Sequence, residues 1–270
     1  MTDRAMIKKV ENTVDRVFAT ANKKAFIGFL TAGDPDADST VQFILEMERG
    51  GADLVEIGIP FSDPTAEGAV IQEANIRALR AGMTTDGVFD IVRRVRESSQ
   101  IPLAFMTYLN PVFHYGYERF FAKCEELGVG AIIIPDLPYE EREEVEEPAA
   151  AHNVHLISMI APTSQARIQS IAREAHGFIY VVSSMGVTGV RSEIKTDLDT
   201  IVGSIREVTD TPCAIGFGIS TPEQAKKMAA VSDGAIVGSA IVRIIAKSGA
   251  QAGAEIYDYV KSMKDAVKSL

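Results

Sequence analysis

The chain has 270 residues, a formal net charge of −10, an apolar fraction of 46% and no tryptophan. That composition suits a soluble globular protein with a sizeable core. The acidic balance argues against a nucleic-acid partner, which needs clustered Lys and Arg, but leaves room for a small phosphorylated ligand held by backbone N–H groups at a helix start.

The N-terminal stretch MTDRAMIKKVENTVDRVF sets Met6, Val10, Val14 and Val17 at helical intervals among charges, which predicts an amphipathic helix over residues 1–20 rather than a secretory segment. Near-continuous apolar runs then alternate with helical patterns. The runs are KAFIGFLTA (24–32), ADLVEIG (52–58), PLAFMTY (102–108), GAIIIPD (130–136), VHLISMI (154–160), GFIYVVS (177–183), CAIGFG (213–218) and GAIVGS (234–239). Such runs suit strands buried on both faces of a parallel sheet. Segments such as STVQFILEMERGG and YERFFAKCEELGVG space apolar residues by three and four and end in Gly, as helices do.

Eight β/α units in this length predict an α/β fold, a single (β/α)8 TIM barrel over residues 1–270. Its core spans 24–248, between the extra N-terminal helix and a C-terminal helix at 252–270. The connection across residues 60–85 is long for one strand-to-helix link. Cys124 and Cys213 lie far apart and predict buried free thiols in a reducing cytoplasm. No run is long enough to span a membrane.

In a barrel, function belongs at the carboxyl ends of the strands, and the polar oddities cluster there. Period-2 alternation puts Leu54, Glu56 and Gly58 on one face, so Glu56 points into an apolar barrel mouth. Desolvation there raises a carboxyl pKa toward the range useful for acid–base work. An ion pair or a hydrogen-bonded strut is the competing reading for Glu56, and the residues alone leave both open. The stiff turn PFSDPTAEG follows, with Glu67 as a second carboxylate near the site. Tyr108 and Asn110 end the third strand, Asp136 the fourth, and Tyr180 and Ser183 the sixth. The small-residue turns SSMGVTGV, GFGIST and GSAIV follow strands six, seven and eight, and phosphate often binds at the loops after strands seven and eight. His114, His152, His155 and His176 lack metal-ligand spacing, so no metal site is expected.

The motif LVEIGIPFSDPTAEG…IQEANIRAL closely resembles the signature of the tryptophan synthase alpha chain family. The likeness continues in order through FLTAGDPD, MTYLNPVFHYG, IIIPDLPYEE, FIYVVSSMGVTG, IGFGIST and SDGAIVGSAIV. The resemblance implies a (β/α)8 lyase that cleaves indole-3-glycerol phosphate to indole and glyceraldehyde 3-phosphate in tryptophan biosynthesis. It also implies a beta-chain partner in an α2β2 complex, with no cofactor in this chain and pyridoxal phosphate only in the partner. By the resemblance Glu56, Glu67 and Tyr180 are catalytic. Phe29 and Tyr108 would flank the indole, with Thr188 closing the site. Gly189, Gly218, Gly238 and Ser239 would hold the phosphate, and Gly58, Pro60 and Asp63 would serve the partner interface. The family pattern DPxADGP reads DPTAEGA here, with Glu67 and Ala69 in place of Asp and Pro. That departure keeps open a weakly active or non-catalytic activator of a beta chain. Barrel architecture alone leaves a sugar-phosphate isomerase open as well.

Overall fold

The computed structural model describes residues 12–19, 24–183, 197–216 and 218–270. Its strands are β1 (Ala25–Thr31), β2 (Leu54–Gly58), β3 (Leu103–Met106), β4 (Val129–Ile133), β5 (His155–Leu156), β6 (Ser158–Ile160), β7 (Ile179–Val182), β8 (Cys213–Gly216) and β9 (Gly234–Val237). All pair in parallel, in the order β5-β4-β3-β2-β1-β9-β8-β7-β6, a nearly closed barrel.

The ends of that order are two halves of one predicted strand. The run over 154–160 divides at Ile157, whose amide donates to Ile132 O at 2.9 Å. The half before it bonds β4 and the half after it bonds β7. Nine strands therefore stand where eight were expected, and the chain passing through Ile157 joins the two edges.

The helices are α1 (Thr13–Phe18), α2 (Ala37–Gly50), α3 (Ala69–Arg80), α4 (Thr85–Arg96), α5 (Leu109–Tyr115), α6 (Tyr117–Leu127), α7 (Glu143–Ala151), α8 (Gln165–Arg173), α9 (Leu198–Arg206), α10 (Pro222–Val231), α11 (Ser239–Ser248) and α12 (Gly253–Lys268). The long stretch 60–85 resolves into a loop and the additional helix α3, which precedes the α4 that returns the chain to β3. The third predicted strand is shorter than expected, because Tyr108 already caps α5. Asn110 and His114 consequently lie in that helix.

Alternation along the strands sorts two cores. Phe26, Leu30, Val55 and Ile57 pack outward with the helices. Ile27, Leu54, Ala104, Ala131, Ala214 and Ile236 fill the interior with Phe178 and Tyr180, the small residues making space for the large ones. Val14 and Val17 of α1 join this inner cluster, so the helix stoppers the amino-terminal end of the barrel. Asn12 fixes it there by donating to Gly130 O at 2.9 Å and Asn153 O at 2.7 Å.

At the same end Lys264 of α12 pairs with Asp53 and donates to Lys24 O at 2.9 Å. Asp53 in turn accepts from the Phe26 amide at 2.8 Å. With the lower end sealed and braced, the opening is left at the carboxyl ends of the strands.

Candidate active site

One cavity occupies that opening, with about 630 Å3 of empty space including its mouth. Its wall brings together Phe29, Glu56, Glu67, Met106, Tyr180, Gly218, Gly238 and Ser239 from across the chain. Seven of these eight were expected at the site from sequence, and Met106 was not.

Glu56 sits in the middle of β2, in register with Phe29 on one side and Ala104 on the other. The inward face of the strand carries it into the barrel, where it is 1% exposed. Burial pushes its carboxyl up from an ordinary 4.5 to about 8. Among the described residues its Oε1 has no hydrogen-bond partner. The alternative reading, an ion pair or a hydrogen-bonded strut, has no counterpart among them. A neutral carboxylic acid is the form this setting favours at pH 7.

Tyr180 on β7 is buried alongside. Its phenol is raised well above 10, first by burial and then by the charge of Glu56. The tyrosine reaches this position because β8 carries Gly216: a Cβ there would lie 2.3 Å from the Tyr180 hydroxyl. Gly58 does the same for Phe29, whose ring would lie 2.8 Å from an added Cβ.

Glu67 enters from the loop before α3 and is half-buried. Burial pushes its carboxyl up to about 7, against the opposing effect of a hydrogen bond from Asn75. The Asn75 amide donates to Glu67 Oε2 at 2.6 Å, and Gln72 donates to the Glu67 carbonyl at 2.8 Å. The cavity thus holds two carboxyls that burial raises toward neutral pH, the range in which a carboxyl serves acid–base work.

Tyr108 does not line the cavity. Its hydroxyl accepts from the Ala66 amide at 3.0 Å and its ring packs 5.4 Å from Phe61, so it props the loop that carries Glu67. Asp34 and Arg77 brace the same region with a two-pronged bridge, 2.8 Å at each contact. Sequence reasoning singled out neither this pair nor Asn75. The only available signal was their position inside the motif stretches FLTAGDPD and IQEANIRAL.

Two strands along the barrel from Glu56, after β9, Gly238 precedes α11 with no side chain capping the helix start. Unclaimed N–H groups and the positive end of the helix dipole favour an anion there. Gly218 and Ser239 line the cavity together with Gly238. Thr188 and Gly189 lie outside the described residues. Of the expected interface residues Asp63 is exposed, whereas Gly58 and Pro60 are buried. Asp136 accepts from the Leu109 amide at 2.9 Å and steadies the start of α5.

No group of three or more His, Cys, Asp or Glu residues suited to a metal ion occurs among the described residues. His152 and His155 are engaged by Glu125 and Asp15 and take no part in the cavity wall. Cys124 and Cys213 are buried free thiols. None of the described helices is long and apolar enough to cross a membrane.

The family model described as tryptophan synthase alpha chain matches residues 17–268. The tryptophan synthase alpha chain of Lacticaseibacillus casei is 50% identical over 91% of this chain and 92% of its own length. Among solved structures, tryptophan synthase subunit alpha from Legionella pneumophila superposes with a TM-score of 0.88 at 33% identity, covering 96% of this chain and all of that one. A Pyrococcus furiosus structure described as a tryptophan synthase α2β2 complex gives 0.82 at 35% identity, over 89% and 98%.

Proposed function

Because this chain belongs to the tryptophan synthase alpha chain family, we propose that its cavity cleaves indole-3-glycerol phosphate to indole and glyceraldehyde 3-phosphate by a retro-aldol reaction. The chain has a lyase role in tryptophan synthesis, and its partner is a tryptophan synthase beta chain in an α2β2 assembly. The activator and isomerase alternatives are unsupported.

The observation that carries the chemistry is the buried Glu56 carboxyl without a hydrogen-bond partner for Oε1 among the described residues. Protonated at neutral pH, it donates to indole C3 and produces a ring cation. Glu67 accepts the ring N–H and stabilises that charge as it forms. The bond between C3 and the glycerol carbon then breaks, its electron pair returning to the ring. The adjacent hydroxyl becomes the aldehyde and gives its proton to the Glu56 carboxylate, which is thereby reset.

Phe29 packs with Ile71, Ala74 and Val242 and supplies an apolar wall for the indole. The start of α11, with Gly218 and Ser239, holds the phosphate remotely, and that binding energy positions the reacting carbons. Tyr180 orders the space beside Glu56.

This reaction calls on no cofactor in the chain, and pyridoxal phosphate belongs to the beta partner. The proposal takes residues 1–270 as one barrel domain. It places the protein in the cytoplasm, a setting suited to buried free thiols.

Glu56→Gln keeps the shape but cannot exchange the proton. We expect indole release to fall by at least about 10²-fold, the lower range for a general acid–base group. A folded Glu56→Gln protein that releases indole at the wild-type rate would falsify the assignment.

A further inference from the structure

The geometry points to Asn75 as the positioning residue for Glu67: its side-chain amide fixes Oε2 and so aims the carboxylate at the ring nitrogen of the bound substrate. This inference rests on the retro-aldol reading above and adds to it how the second carboxylate is held.

Asn75 is 4% exposed on the inward face of α3, a position at which a polar side chain needs a partner. The partner it has is the 2.6 Å bond to Glu67. An amide can only donate through its nitrogen, so the bond favours the ionised carboxylate over the acid. With Oε2 taken, Oε1 is the oxygen left for a donor from the substrate. Glu67 lies two residues before the start of α3, and Asn75 stands two turns into that helix. The contact therefore ties the mobile end of a flexible side chain to a regular element. Further along, Arg77 clamps α3 to Asp34, beyond the end of β1. The carboxylate is held by a helix that is itself anchored to the barrel.

Other ionisable groups face this region from each neighbouring element. Tyr108 approaches from the start of α5, and the charge of Glu67 is one of the influences raising its phenol. Glu56 on β2 and Tyr180 on β7 share the cavity. On α3 itself, Glu73 is exposed and Arg77 is engaged by Asp34. Among the described residues none of these groups hydrogen-bonds or ion-pairs with the Glu67 carboxylate, so burial and Asn75 dominate its protonation.

The test is Asn75→Ala in the complex with a beta chain, read as a pH profile of indole release. The acid limb, set by Glu67, should move up by about one to two pH units, as expected for loss of a hydrogen bond to a charged group. The alkaline limb, set by Glu56, should stay in place, so the peak narrows and falls. Asn75→Gln, which keeps the amide donor, should recover part of the lost activity. A uniform loss with both limbs unmoved would mean that Asn75 is merely structural and would overturn the inference.

A second measurement needs no turnover. With 13C-labelled glutamate, Glu67 (identified by its absence in Glu67→Gln) should titrate higher in Asn75→Ala than in the wild type. In wild-type protein the Asn75 side-chain 15N signal should follow the same midpoint as Glu67, which covers the case where the alanine variant does not fold. Independent midpoints sink the proposal. Glu67→Gln releasing indole at the wild-type rate would instead remove Glu67 from the reaction, whatever the titration shows.

Discussion

Glu67 carries one methylene more than the aspartate of the family pattern, and the consequences of that atom can be weighed at the level of single contacts. A misplacement of about 1 Å can cost roughly 10²-fold in rate when the rest of a site is rigid. Here the rest is adjustable. Helix α3, which follows the Glu67 loop, opens on Ala69 where the pattern has proline, so φ is not locked at the helix entry. The carboxylate finds its donor at Asn75 by extending from that loop. Glu67→Asp should therefore leave indole release by the complex within about one order of magnitude of wild type, well short of that rigid-site figure. A change of 10²-fold or more in either direction would show that the loop does not follow the shortened side chain. Glu56 and Glu67 were legible as candidates because a carboxylate on an apolar strand and another in a stiff turn break local rules. Asn75 broke none: a single Asn in an amphipathic helix reads as ordinary until its partner is placed beside it.

Among the elements, the eight apolar runs and the intervening helices were legible because burial on both faces leaves an unmistakable composition. The split at Ile157 was not. Which neighbour a strand residue bonds is decided by barrel closure, and both halves of VHLISMI are equally apolar. Helix α3 was visible only as excess length, since the loop and helix together fill a stretch in which one connection was expected.

The anchorage of that helix also lay beyond local pattern, for Asp34 and Arg77 are far apart in sequence. Asp34 is 1% exposed and Arg77 34% exposed on their side chains. This asymmetry dictates the outcome of cutting the bridge from either end. Arg77→Ala strands a buried carboxylate and should cost about 3–5 kcal/mol. Asp34→Asn leaves the guanidinium able to turn to water and should cost no more than about half as much, within the range for a partly compensated hydrogen bond. Urea unfolding of the two variants measures the order, and an equal or reversed ranking would mean the pair is not the clamp on α3.

For the molecule as a whole, a catalytic acid held in an apolar barrel weakens the fold that holds it. The Glu56 carboxyl titrates near 4.5 when exposed and about 8 in the folded chain. Below pH 4.5 both states are protonated and the group contributes nothing to the pH dependence of stability. Between pH 4.5 and 8 the unfolded chain loses the proton while the folded chain keeps it, so the folded state is progressively destabilised. Above pH 8 both are ionised and the penalty is constant. At pH 7 it is on the order of 3 kcal/mol, from about 1.4 kcal/mol for each pH unit between the two ionisations. Glu56→Gln cannot ionise in either state. Its stability relative to wild type should thus be near its baseline at pH 4, rise steadily through pH 5 to 8, and then level off. The direction is opposite to that of a carboxylate stabilised by a cation, whose removal would hurt most at neutral pH. Thermal or urea unfolding of the two proteins at pH 4, 6 and 8 reads the difference directly. A Glu56→Gln protein whose advantage is flat across that range would mean the carboxyl is hydrated or paired in the folded chain. The neutral acid invoked for protonating indole C3 would then not exist.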